Sequence, residues 1–191
     1  MSIDELIHQY LKNLRSAGAS SVFESWSCFE PANDEELGVL AKEVSCELPE
    51  ELILWLRTVR NELPFGGNYA ANKLGTMVRS IQETRKVDFN EHLANIISWE
   101  DGRFDDERIA RTYWQPQWVP LAQDGCGNEY CYDLAPGSSG QVGQIIAMEF
   151  QDGQGPYLAR WGSLEERLRY HLEALANGKY TMDEEGFIEF D

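Results

Sequence analysis

Residues 118–148, WVPLAQDGCGNEYCYDLAPGSSGQVGQIIAM, constrain the fold more than any other stretch of this chain. Trp118–Ala122 and Glu129–Leu134 are alternating runs on either side of Asp124-Gly125-Cys126-Gly127-Asn128. A Pro/Gly/Ser loop then leads into a third apolar run, Gln144–Met148. Val, Ile and Tyr at a period of two, broken by Asp-Gly and Pro-Gly, predict consecutive antiparallel strands joined by tight turns. Such turns need positive φ, and the glycines supply it.

Most of the remaining chain carries helical patterning. Ser2 with Glu5 forms a capping box ahead of Ile3, Leu6, Ile7, Tyr10, Leu11 and Leu14, and Gly18 offers a stop. Asn33 with Glu36 begins a second helix through Leu37, Leu40 and Val44. Pro49 begins a third through Leu52, Trp55, Leu56 and Val59. Leu63-Pro64-Phe65-Gly66-Gly67 reads as a chain break, and Leu74–Val78 as a short apolar run. Ser80 with Glu83 and Asp88 with Glu91 suggest two further helix starts, in one kinked helix or two short ones. Tyr157–Trp161 predicts a last strand, and Ser163 with Glu166 caps a helix through Leu164, Leu168, Leu172 and Leu175 to Gly178. The class is therefore α+β: a single domain whose mostly antiparallel sheet comes from the C-terminal half and packs against several helices. Alternating βαβ units, and with them a doubly wound sheet, are absent from the pattern.

The charge narrows the partners. Asp+Glu number 33 against Lys+Arg 16, for a formal net charge of −17 over 191 residues. A surface this acidic repels phosphate backbones and anionic lipid and attracts basic proteins. Direct nucleic-acid binding and membrane association are not expected. A solvated surface and a face for a cationic partner both account for the charge. No stretch approaches the ~20 apolar residues of a membrane span. MSIDELIHQY lacks the basic and apolar regions of an export signal, so Cys28, Cys46, Cys126 and Cys131 are expected reduced, in the cytoplasm.

Signals for chemistry are few. His8, His92 and His171 lie far apart and lack metal-ligand spacing, so neither a metal nor a cofactor is expected. Cys126 sits between two glycines, but a strand follows it where a nucleophile elbow needs a helix. Gly137, Gly140 and Gly143 are not followed by Gly-Lys-Ser/Thr or by a helix, so they read as an inter-strand loop. Asp124 and Asp133 flank the glycine turn, where Asp more often bonds its own backbone in an Asx turn. A hydrolase using Asp124, Cys126 or Asp133 is the weakest of the readings considered.

Trp118-Val-Pro-Leu, Asp124-Gly125, Gly127-Asn128, Tyr132-Asp133-Leu134, Pro136, Gly140 and Gly143-Gln144-Ile145-Ile146 together resemble the SUKH superfamily, in its Smi/Knr-like branch. Leu48-Pro49-Glu50-Glu51-Leu52 with Trp55-Leu56 resembles the family's early Leu-Pro helix, and Trp161–Leu168 with Asn177–Tyr180 its closing helix and tail. The resemblance implies residues 33–180 as the domain, 1–32 as an accessory helix and packed loop, and 181–191 as an acidic tail. It implies a binding module rather than an enzyme. In bacteria such modules are immunity proteins that neutralise toxins, many of them nucleases; in fungi they regulate cell-wall assembly through protein contacts. Joined to the charge, it favours an immunity protein against a basic toxin, with a regulator or scaffold of the cell-wall type as the alternative. Trp118, Pro120, Asp124, Gly125, Gly127, Asp133 and Gly143 are then structural. The expected partner surface is Glu100, Asp101, Asp105, Asp106 and Glu107, with Trp99 and Phe104 as apolar anchors.

Overall fold

The computed structural model describes residues 1–19, 22, 30–59, 63–87, 106–149, 154–184, 186 and 188–190. Helix α1 (Ile3–Ala17) opens on the predicted reciprocal cap: the Ser2 hydroxyl accepts from Glu5 N at 3.3 Å, and the Glu5 carboxylate accepts from Ser2 N at 2.7 Å. It ends at Gly18 in the left-handed region. Helix α2 (Asp34–Val44) repeats the box with Asn33 and Glu36, and α3 (Glu50–Thr58) follows Pro49.

The segment expected only to break the chain instead starts the sheet. Pro64–Gly66 is strand β1, and it turns back into β2 (Tyr69–Ala71). A three-residue strand buried throughout has no two-fold alternation to read. The chain then forms α4 (Leu74–Lys86), β3 (Trp118–Gln123), β4 (Glu129–Asp133), β5 (Gln144–Glu149) and β6 (Gln154–Ser163). The six strands lie in chain order, each antiparallel to the next.

The expected helix start at Ser80 is also corrected. Helix α4 runs unbroken through it, because Met77 and Ile81 bury one face and the Ser80 hydroxyl donates across to Glu129 Oε1 on β4 at 3.1 Å. Asp88, Phe89, Glu91, His92, Leu93, Ile96 and Ile97 lie outside the described residues.

One sheet face carries Val119, Leu121, Tyr132, Ile145 and Trp161 into the main core with the helices. The other buries Trp118, Cys131, Ile146 and Met148 with Ile109. Helix α5 (Leu164–Asn177) starts at Ser163 and stops at left-handed Gly178. Its buried face is Leu164, Arg167, Leu168, His171 and Ala174, while Leu172 and Leu175 are only partly covered. The C-terminal segment forms a hairpin, β7 (Tyr180–Met182) with β8 (Ile188–Phe190). Gly67 N donates to Phe190 O at 3.4 Å, tying that hairpin to the end of β1. Both terminal segments therefore share the main core, through Leu6, Ile7, Tyr10 and Leu14 from α1 and Ile188 and Phe190 from β8.

Arg167 closes the structure. It is fully buried, and its Nε donates to Phe65 O at 2.8 Å, while Nη2 donates to Pro64 O at 2.5 Å. The guanidinium carbon lies 4.0 Å from the Phe65 ring centre, 5.3 Å from Trp55 and 5.4 Å from Tyr10. The Tyr10 hydroxyl donates to the same Pro64 carbonyl at 2.8 Å. Burial pulls Arg167 down to about 10, which still leaves it charged at neutral pH. One turn further, His171 stacks on Phe190 with ring centres 4.1 Å apart, and neither ring nitrogen has a partner. Burial holds its pKa far below the ordinary value, with the cations of Arg167 and Arg160 adding to the effect.

Two outcomes follow for stability. At Gly66, φ is +150° and an added Cβ would stand 2.4 Å from Trp161 Cη2, whereas at Gly67 it would meet open space. Gly66→Ala should lose ~2–4 kcal/mol in urea unfolding and Gly67→Ala only ~1; equal losses would show that Trp161 does not seal β6 against β1. His171 stays neutral in the fold, so its contribution is intact above the unfolded pKa near ~6.5 and is lost as pH falls below it. Between pH ~6.5 and ~5, the wild type should lose stability relative to His171→Phe by ~1.4 kcal/mol per pH unit. Parallel pH profiles would place the imidazole in water.

Candidate functional site

Of the expected partner surface, Asp106 and Glu107 are described; Trp99, Glu100, Asp101, Phe104 and Asp105 lie outside the described residues. Asp106 is turned onto its own chain. Its Oδ1 accepts from Arg108 N at 3.0 Å and Nε at 2.8 Å, and its Oδ2 accepts from Nη2 at 2.7 Å. Those hydrogen bonds hold the Asp106 carboxyl below the usual range. Glu107 is exposed, and its Oε2 accepts from the Ser139 hydroxyl at 3.2 Å.

The 106–110 segment rests on the loop between β4 and β5. Gly137 N donates to Arg108 O at 2.9 Å, Ser139 N to Glu107 O at 3.1 Å, and Gln144 Nε2 to Arg108 O at 2.7 Å. Two glycines permit this approach: a Cβ at Gly137 would lie 2.3 Å from Glu107 O, and one at Gly140 2.0 Å from Arg108 O. Gly125 and Gly127 have the positive φ expected of a turn, whereas Gly137 and Gly140 are needed for proximity.

Gln144 is the hub of this seat. Beyond Arg108 O, its Nε2 donates to Asp133 Oδ2 at 2.8 Å, and its Oε1 accepts from Gln141 N at 3.2 Å. Asp133 is fully buried, and its Oδ1 accepts from Ala135 N at 2.9 Å. Burial raises its pKa against those hydrogen bonds. Asp124 makes the expected Asx turn, accepting from Cys126 N at 2.8 Å, Asn128 N at 3.0 Å and Asn128 Nδ2 at 2.8 Å. Burial opposes ionisation there, but these donors outweigh it and lower the pKa. Trp118 is buried, and Pro120 stands at a register shift of β3, where a missing N–H costs least. The Pro120 carbonyl accepts from Asn72 Nδ2 at 2.9 Å.

The residues nominated for hydrolysis do not converge. Asp124 and exposed Cys126 stand at the turn between β3 and β4, and Asp133 at the opposite end of that strand pair. Burial pushes the Cys131 thiol well up. Sequence reasoning passed over Glu129, whose carboxyl burial pushes up to about 7 against the Ser80 hydrogen bond. An alternating strand gives no sign that a helix will cover that position. Among the described residues, no three His, Cys, Asp or Glu side chains are grouped to hold a metal, and no helix is long and apolar enough to cross a membrane.

A cleft of about 430 Å³ opens beside the Gln144 seat. Its walls include Glu51 of α3, Gly140, Val142 and Gly143 of the loop, and Gly162 and Glu165 at the junction of β6 with α5. Gly143 has φ +95°, and a Cβ there would meet the Tyr132 hydroxyl at 2.8 Å, the group that donates to Glu51 Oε2 at 3.4 Å.

A helix-backed antiparallel meander, whose inter-strand loop holds a preceding segment through one glutamine and two glycines, defines a class of small α+β domain. The chain belongs to the SMI1/KNR4 family (SUKH-1), whose model matches residues 31–169. It is 29% identical over 140 residues to a Schizosaccharomyces pombe protein named cell wall biosynthesis/cell cycle regulator smi1, covering 73% of this chain and 23% of that one. It is 36% identical over 77 residues to a Neurospora crassa glucan synthesis regulatory protein, covering 40% of this chain and 14% of the relative. A KNR4/SMI1 homolog of Yarrowia lipolytica is 41% identical over 54 residues, 27% of this chain and 8% of that one. These curated relatives are thus matched over less than a quarter of their own length.

Gln144→Leu keeps volume near β5 but removes three hydrogen bonds and leaves Asp133 Oδ2 buried without its donor. It should cost ~2–3 kcal/mol and speed hydrogen exchange at Gly137 and Ser139 N–H. Unchanged exchange there would mean that the seat does not depend on Gln144.

Proposed function

We propose that this chain is a protein-binding regulatory domain of the cell-wall-regulator type, working inside the cell without catalysis and meeting a cationic partner on its acidic surface. The observation that carries the reading is what the family block does with its polar groups. Asp124, Asp133 and Gln144 are all spent on holding backbone or one another. The block is a seat, and the segment on it brings Asp106 and Glu107 to the surface. The names of the fungal relatives support a regulatory role. The net charge of −17 supports electrostatic steering of a basic partner.

A second reading, an immunity protein that neutralises a basic nuclease toxin, draws on the same charge and on the family resemblance. The relatives' names favour the regulator. The two differ in partner number and affinity: a regulator holds several partners modestly, and an immunity protein holds one tightly.

Affinity capture from the source organism, followed by association kinetics with each captured partner, separates them. The regulator reading expects several partners at micromolar Kd. One nuclease at nanomolar Kd or tighter would establish immunity instead. Glu107→Lys should slow association ~3–10-fold at low salt, with the difference closing as salt rises. Association indifferent to both salt and Glu107→Lys would remove steering by this surface from the account.

A further inference from the structure

Glu51 lies in the first turn of α3, beneath the loop joining β4 to β5, and its carboxylate is only half provided for. Oε2 accepts one long hydrogen bond, 3.4 Å from the Tyr132 hydroxyl. Oε1 is shielded from solvent and has no partner. A buried acceptor left without a donor is costly, and in native structures it calls for a reason. Burial raises the Glu51 carboxyl, the Tyr132 hydrogen bond opposes the rise, and the charge of Glu165 adds to it.

Around this carboxylate stands the 430 Å³ cleft, a size in the range of ligand sites. Gly140, Gly143 and Gly162 line it together with Ser139, Gln141, Leu158 and Ser163. Val142 stands on its rim, 58% exposed, an apolar surface beside an acidic one. Glu165 adds a second carboxylate, shared with Arg169 at 2.7 Å in an exposed pair that costs little to rearrange. Arg108 also lines the cleft, but its guanidinium is clamped by Asp106.

The geometry points to this cleft as the socket for a cationic side chain, arginine or lysine, of a partner polypeptide, with Glu51 as its acceptor, Glu165 at the mouth and Val142 against the aliphatic stem. A guanidinium or ammonium head in the cleft adds a charged partner to a carboxylate that otherwise has one long hydrogen bond, while the shielded oxygen stays out of its reach. Long cationic side chains bury their stems on apolar surface while the charged head finds its partner. The inference rests on the proposed protein-binding role and adds where the cation goes.

The test uses the full 191-residue chain labelled with nitrogen-15 and titrated at low salt with a hexa-arginine peptide. The N–H signals of Gly140, Gly143 and Gly162 should move together and saturate. Glu51→Gln, isosteric and one charge poorer, should weaken binding at least ~10-fold. Glu184→Gln removes the same charge elsewhere and should stay within ~2-fold, since a diffuse surface charge acts weakly on any one contact. Val142→Lys, on the exposed rim, should weaken binding as well without touching the core, which covers the case in which Glu51→Gln unfolds. Binding that is saturable but equal in Glu51→Gln, Val142→Lys and wild type, with shifts elsewhere, would overturn the socket and leave the protein-binding reading standing. Absence of any saturable binding would overturn both the socket and the preference for a cationic partner.

Discussion

Arg167 carries its charge into the middle of the core, and among the described residues no carboxylate pairs with it. Two consecutive carbonyls of β1, those of Pro64 and Phe65, accept from its Nη2 and Nε, and the rings of Phe65, Trp55 and Tyr10 lie close to it. Its Nη1 is buried without a partner, so two hydrogen bonds and the faces of the surrounding rings carry what stabilises the ion. Because the acceptors are backbone, the guanidinium fixes chain position rather than balancing charge. It joins α5 to β1, and through Pro64 O to Tyr10 of α1, so elements from both ends of the chain meet at one carbonyl. His171 stays neutral one turn away, which spares the core a second cation.

Near that junction the first and last strands of the sheet come together. Strands β1 and β6 are the two ends of a six-stranded meander, yet Phe65 and Trp161 approach to 6.1 Å between ring centres. Gly66 provides the clearance. The sheet stays open, and Arg167 with the β7–β8 hairpin covers its short first strand, which as a free edge would invite pairing with another chain. Helix α1 reaches the same cation through Tyr10, and the β7–β8 hairpin packs Phe190 against Tyr10 and His171.

The parts that were legible in the sequence are those whose signal is local. The strands from Trp118 to Met148, the boxes at Ser2 and Asn33, the stops at Gly18 and Gly178 and the Asx turn at Asp124 depend on neighbours within about four residues. The parts that were illegible depend on contacts distant in the chain. Strands β1, β2, β7 and β8 have three residues each, too few to show a period. Arg167 and His171 share the face of Leu164 and Leu168, but nothing local says what would receive a cation and an imidazole there; Pro64, Phe65 and Phe190, distant in the chain, do so. Ser80 suggested a helix start because a hydroxyl followed three residues later by Glu is the usual signature. Its real partner, Glu129, is 49 residues away. The candidate surface was half legible: acids are visible in any sequence, but the glycines and glutamine that seat Asp106–Arg108 show their purpose only when the segment rests on them.

Conserving strength in the seat and leaving charge on its rim is a sensible division for a domain that makes up a small part of longer relatives. Asp133 and Gln144 cannot vary freely, since each unmet hydrogen bond in a buried set costs more than it would in water. Exposed acids such as Glu107 and Glu165 lie under no such constraint; a surface charge changes stability by little and association by much. The cleft falls between these regimes. Its floor, Gly143 over the Tyr132–Glu51 hydrogen bond, belongs to the packed part, and its rim, Val142 and Glu165, to the exposed part. A socket built in that way holds its acceptor in place while the contacts around the guest remain free to change, so partner choice can shift without disturbing the fold that Arg167 secures.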